Sequence, residues 1–372
     1  MKILTSLALA ALATISASAQ DKKPQIQVLS DIKFSGYVMT QFQASDQEDK
    51  ESNSFNIRMV RMALEGRLLQ DFYWKVQIQA NGNTSNLGSS PRMVDAFAEW
   101  QKYDAFKIKA GQFKRPFSFE NPMHPITQGF MGYAQGISKL SGFSDRVGEH
   151  ASNGRDVGVQ IQGDFLKNNA GRNLVHYQVG VFNGQGINVK DVDQRKDIIG
   201  GVWVMPVAGM RIGAFGWTGS YARKRTVDTD HGKVTEILSL PQRRYALSAE
   251  YVTNDWTFRS EYAHSTGLAF KTRYQKPENA TDFELSKNGD KAQGVYALVI
   301  APIIKKKMHA KARYDMYQPS GDASKQKTFY EVGLDYEFCR NLKLSGEYAF
   351  VNDRSLTKHN YNMVDVELAF RF

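Results

Sequence analysis

The sequence predicts an all-β fold, a transmembrane antiparallel β-barrel of about 16 strands with one long loop folded inward, and three observations point to it. Apolar and polar residues alternate with period two along almost the whole chain, the mark of strands with two unlike faces. Short links alternate with long polar excursions, as in barrels that keep tight turns on one rim and loops on the other. The third observation is compositional: 17 Tyr, 22 Phe and 5 Trp accompany a hydrophobic content of only 42%. Mean hydropathy is −0.46. A helical membrane protein needs apolar runs of roughly 20 residues, and none follows the N-terminus. A barrel strand needs one apolar face, with aromatic rings at the two interfaces.

At the N-terminus, Met1-Lys2 supplies a positive start, residues 3–15 are mostly apolar, and Ala17-Ser18-Ala19 precedes Gln20. That three-part pattern predicts a secretory signal over 1–19 and leaves 20–372 as a single barrel domain. Export places the chain in the periplasm and then in the outer membrane of a Gram-negative bacterium. The single cysteine, Cys339, excludes an internal disulfide framework. A net charge of +10 suits anionic solutes or an anionic lipid surface. Export sets nucleic acid aside as a partner.

Strands are expected in order at 35–43, 55–68, 72–80, 93–101, 105–114, 155–165, 173–182, 197–205, 209–221, 241–252, 254–265, 291–301, 307–317, 327–338, 341–352 and 361–372. The last is the clearest: Val364, Val366, Leu368, Phe370 and Phe372 share one face, with Asp365, Glu367 and Arg371 on the other. Its closing aromatic resembles the signal by which bacterial barrels are recognised for assembly. Alternation also assigns the lumen. Trp74, Val76 and Ile78 face lipid and leave Lys75, Gln77 and Gln79 inside, while Ile108 and Ala110 leave Lys107 and Lys109 inside. Lys311 and Arg313 face inward opposite Ala310, Ala312 and Tyr314. In the second strand, Phe55, Ile57 and Met59 share one parity, and Val60, Met62 and Leu64 the other. A bulge near Met59 explains the switch and sets Arg58, Arg61 and Arg67 on the lumen face with Glu65.

Tight links are expected at 69–71, 102–104 and 206–208 and around Thr253 and Arg340; polar excursions at 44–54, 81–92, 222–240 and 266–290. The longest excursion, 115–154, is rich in Gly and Phe. Its length and its place between the fifth and sixth strands predict that it folds inward and narrows the pore.

Several segments carry a family resemblance: Phe55-Asn-Ile-Arg-Met-Val-Arg-Met-Ala-Leu-Glu-Gly66, Val94-Asp-Ala-Phe-Ala-Glu-Trp100, Gly111-Gln-Phe-Lys-Arg-Pro-Phe-Ser118, Gly154-Arg-Asp-Val-Gly-Val-Gln160 and Gly180-Val-Phe-Asn-Gly184. They resemble the phosphate-selective porin O and P family. The resemblance implies a homotrimer of sixteen-stranded barrels in which Arg and Lys at a constriction bind small anions such as phosphate. By matching segments it implies Arg58 and Arg61 as the arginine pair, with Asp95, and Lys114 and Ser118 at the root of the inward loop. Met59 and Val60 interrupt the family's denser arginine pair. Guanidinium suits such a site because its planar fork binds an oxyanion edge through paired charge-assisted bonds. Asp95 would orient the arginines and keep binding weak enough for exit.

No metal-ligand cluster, phosphate loop or nucleophile elbow is present in the sequence, so neither a cofactor nor an enzymatic role is expected. His264 and Ser265 are adjacent in a strand and point to opposite faces. A general or sugar-conducting porin is the alternative; it would carry stacked aromatics on one lumen wall, for which Phe97, inward with Asp95 and Glu99, is the hint.

Overall fold

A computed structural model describes residues 28–80, 91–141, 153–270, 280–285 and 291–372. The predicted signal segment 1–19 and most of the 81–92 excursion lie outside these residues. The described residues form sixteen strands in one closed antiparallel sheet. In order they are β1 Leu29–Ser45, β2 Ser52–Leu68, β3 Phe72–Gln79, β4 Arg92–Tyr103, β5 Phe106–Lys114, β6 Arg155–Lys167, β7 Asn173–Phe182 and β8 Asp197–Val204. The second half comprises β9 Met210–Thr229, β10 Gly232–Thr253, β11 Trp256–Thr266, β12 Lys291–Ile304, β13 Met308–Gln318, β14 Lys327–Cys339, β15 Leu342–Asp353 and β16 Asn360–Arg371. Every strand pairs with its sequence neighbours, and β1 closes the ring on β16 from Tyr37↔Arg371 to Ser45↔Met363. Closure leaves no edge strand, which lipid requires because nothing there can satisfy an open ladder.

Among the described residues, consecutive strands at one rim are joined by tight turns. Between β10 and β11 the two linking residues, Asn254 and Asp255, have φ of 47° and 73°. These are left-handed positions that Asn and Asp tolerate, and they match the twist of a hairpin. At this rim Trp100, Tyr103 and Phe106 cluster on the outer face, and Trp256 stacks on Phe258 at 5.7 Å. Toward the other rim Phe42 meets Phe55 at 4.9 Å and Tyr314 meets Tyr330 at 5.6 Å. Along β14 the two aromatic belts are represented by Tyr330 and Phe338, eight residues or about 26 Å of strand apart. Exposed Val332 and Leu334 lie between them. That is the lipid-facing band of an outer-membrane barrel.

Two details depart from the sequence reading. The predicted excursion at 222–240 is strand: β9 and β10 pair without a break from Tyr251↔Met210 to Gly232↔Thr229, leaving only Asp230 and His231 as the turn. Its charges looked like loop, but the cross-strand ion pair Arg225–Glu236 at 2.6 Å and the Arg223 guanidinium 4.1 Å over the Phe270 ring let them sit in a ladder. The second departure is Met59. The register steps from Met39↔Met59 to Thr40↔Ile57, so Arg58 is the bulged residue. The bulge turns Met59 inward with Arg61; it is buried against Tyr37, whose hydroxyl donates to its sulfur at 3.4 Å.

Candidate functional site

The inner wall is built by alternation and divides into two regions. On β10, β11, β13 and β15 its charged side chains reach residues 115–141. Cationic groups donate to backbone carbonyls of that segment: Arg259 to Gln128 at 2.7 Å, Lys311 to Gly129 at 2.9 Å, Arg313 to Gly132 and Arg244 to Leu140 at 2.8 Å. Carboxylates accept its amides: Glu261 from Phe119 at 2.7 Å and Glu120 at 2.8 Å, Glu347 from Met131 and Asp315 from Gln135 at 2.8 Å. Each such charged bond contributes on the order of 1.5–3 kcal/mol, and together they satisfy backbone groups in a stretch with little secondary structure. The one helix in this stretch, α1 Gln135–Leu140, lies on β12 through glycines: a Cβ on Gly294 would stand 2.5 Å from the Cα of Gly136. Apolar packing completes the seat, with Phe117 edge-on to Trp217 at 5.6 Å and Phe119 edge-on to Phe215 at 5.4 Å. Farther along, Ile126 packs with Tyr37, Met39, Met59 and Ala369 of β1, β2 and β16.

A cationic cluster sits where β5 gives way to this segment. Arg155, the first residue of β6, grips Asp95 of β4 through Nε at 2.6 Å and Nη2 at 3.1 Å. Its ladder partner is Lys114, whose Nζ lies 5.1 Å from the Tyr133 ring centroid and which interacts electrostatically with Arg155, Arg61, Asp95 and Glu120. Arg61 donates to neutral acceptors, Gln79 Oε1 at 3.0 Å and the Tyr37 hydroxyl at 3.1 Å. Glu120, in the segment itself, has its carboxyl pushed up to about 8, chiefly by burial, so it is mostly uncharged at neutral pH. Among the described residues, the Arg61 and Arg155 guanidinium groups and the Lys114 amine therefore surround one ionised carboxylate, Asp95.

The residues expected from the sequence separate in space. Arg61, Asp95 and Lys114 meet in this cluster. Arg58 points elsewhere, pairing with Glu367 at 2.7 Å and bonding the Met131 carbonyl. Ser118 is buried with φ 69°, and its hydroxyl accepts the Asn121 amide at 3.2 Å, which spends it on holding the chain's turn. Arg67 bonds the Gln70 carbonyl at the β2–β3 turn at 3.1 Å. Lys75, Lys107 and Lys109 line β3 and β5 opposite Glu65, Asp164 and Glu99 at 3.8, 3.5 and 3.5 Å. Lys311 is held by Asp335 at 2.7 Å and Glu347 at 2.5 Å, and Arg313 by Glu331 at 2.5 Å. Sequence reasoning missed Arg155, although the motif Gly154-Arg-Asp contains it. Its place just after the long excursion was the available signal.

The family model described as phosphate-selective porin O and P matches residues 35–193. No curated protein sequence matches the chain. Among solved structures, OmpF of Salmonella typhi is 12% identical with a TM-score of 0.64, covering 92% of this chain and 98% of its own. DcaP, an outer-membrane channel of Acinetobacter baumannii, is 11% identical with a TM-score of 0.59, covering 95% and 100%. OmpT of Vibrio cholerae in its trimer form is 11% identical with a TM-score of 0.58, covering 92% and 99%. The closed sixteen-stranded barrel, its lipid-facing band and the family match over β1 to β7 lead to one conclusion: this chain is an outer-membrane porin, a channel and not an enzyme, related through residues 35–193 to phosphate-selective porin O and P.

Proposed function

We propose that this porin passes small anions by passive diffusion, with phosphate and related oxyanions as preferred solutes, and that it works as a homotrimer with residues 115–141 narrowing the pore. The observation that carries the anion reading is the imbalance of Arg61, Lys114 and Arg155 around Asp95. Low-dielectric walls focus the field of such a group, so its position outweighs the number of paired charges elsewhere. The family description supports an oxyanion, and the trimeric neighbour supports the assembly.

Reversal potentials in a salt gradient test this reading. The double variant Arg61→Gln, Lys114→Gln replaces a guanidinium and an amine of the cluster by neutral amides at similar volume. It should keep its conductance while the anion-to-cation permeability ratio falls toward or below one. The change should be larger at 0.01 M salt, where the Debye length is about 30 Å, than at 1 M. An unchanged reversal potential at low salt would place the selectivity outside the cluster.

A further inference from the structure

The long segment draws its polar contacts mainly from β10, β11, β13 and β15, and solvent lies on the opposite wall. Exposure locates it: the side chains of Lys75, Lys107 and Lys109 are 26%, 22% and 18% exposed, whereas Lys311, Arg313 and Arg259 are 1%, 2% and 5% exposed. The wetted wall of β3–β8 has a different chemistry from the cationic cluster. Its three lysines face three carboxylates, Glu65, Asp164 and Glu99, in pairs of 3.5–3.8 Å, so it carries no net preference for either sign. Between these pairs lie aromatic rings. Tyr73 and Phe97 meet at 5.9 Å, Phe97 and Phe113 at 5.9 Å, and Trp203 stacks on His176 at 3.9 Å. Tyr73, Phe97 and Trp203 are only partly buried. Lys109 Nζ lies 5.1 Å from the Phe97 ring, and the partly exposed Gln162 and Gln178 face each other across β6 and β7.

We propose that this wall is a binding track for small neutral saccharides, a solute class separate from the anions assigned to the cluster. A sugar ring has an apolar C–H face that packs on an aromatic ring, and a rim of hydroxyls that both donate and accept. Partly exposed rings flanked by ammonium donors, carboxylate acceptors and amides that do both match that pattern. A phosphate ion would offer the rings no apolar face and would find each ammonium already paired with a carboxylate. Charge balance also keeps binding weak enough for release, which a conducting track needs.

The test is single-channel conductance of the full barrel in KCl with rising sucrose, against mannitol, which has hydroxyls but no ring, at matched viscosity. Sucrose should reduce the current saturably and mannitol only in proportion to viscosity. Phe97→Leu keeps an apolar side chain but removes the ring face, and should weaken the sucrose effect about threefold to tenfold. Trp203→Leu is the second variant, and heat-modifiable migration on gels establishes that each barrel has folded. The Arg61→Gln, Lys114→Gln variant should leave the sucrose effect intact, which separates this proposal from the anion reading. Equal responses to sucrose and mannitol, or an undiminished sucrose effect in both ring variants, would overturn it.

Discussion

Asp95 is the ionised carboxylate of the cluster, and it does two things at once. Its oxygens take both arms of the Arg155 fork, and its charge offsets part of the local positive potential. Asp95→Asn should therefore move the two properties in opposite directions. The reversal potential should shift further toward anions, while the barrel loses about 3–5 kcal/mol because a buried guanidinium is left without its counter-charge. Thermal unfolding followed by gel mobility, together with bilayer reversal potentials, measures both. Lys75→Gln is the control: its pair with Glu65 is 3.8 Å long and both side chains are over a fifth exposed, so stability should change little. A residue's type and parity were legible in the sequence; its partner was not. The family resemblance makes Asp95 an orienter of Arg58 and Arg61, yet it holds Arg155, 60 positions away.

At the scale of elements, residues 115–141 stay in place through charged side chains on the strands and through the close approach of α1 to β12. Gly294→Val inserts a branched side chain where even a Cβ meets the Gly136 backbone at 2.5 Å. It should lift α1 from β12 and raise single-channel conductance and noise, while the sixteen strands still assemble because the change lies on the lumen face. The same seat should respond to pH through Glu120, which faces Arg313, Arg259 and Glu261 and accepts the Ala134 amide at 3.0 Å. Its carboxyl titrates near 8 when buried and near 4.5 when released. The seated state binds the extra proton, so docking is strongest below about pH 4.5 and weakens progressively up to about 8. Conductance recorded across that range should rise with pH, and Glu120→Gln, which still accepts the Ala134 amide, should flatten the dependence. The β9–β10 hairpin shows where element reading failed. The charged pattern at 222–240 predicts a loop, because pattern alone cannot show that Arg225 has Glu236 across the ladder.

The whole molecule is held between two aromatic belts, and its outer face has one solvent, lipid. Leu334 of β14 is 47% exposed and lies midway between Tyr330 and Phe338. Leu334→Lys should cost about 2–4 kcal/mol in folding free energy measured by urea titration in bilayers. The same substitution at Phe338, in the belt, should cost about 0–1 kcal/mol. A similar penalty at both sites would mean that the band is misplaced.

What the sequence determined by itself is the barrel: its strands, most of their boundaries outside the β9–β10 hairpin, and, Met59 apart, the faces of the residues that alternate. Period-two alternation is a local property, and a strand that crosses lipid must obey it residue by residue. Even the β2 bulge was legible, as a change of parity at Met59. Only the tertiary structure decided which inward charges meet. Closing the sheet brings Arg58 to Glu367, 309 positions on, and seats the Phe119 amide on Glu261, 142 positions on. Those pairings depend on strand order, stagger and the path of one long segment through the interior. No local pattern encodes them, so the division of the lumen into a clasped wall and a wetted wall emerged only with the fold.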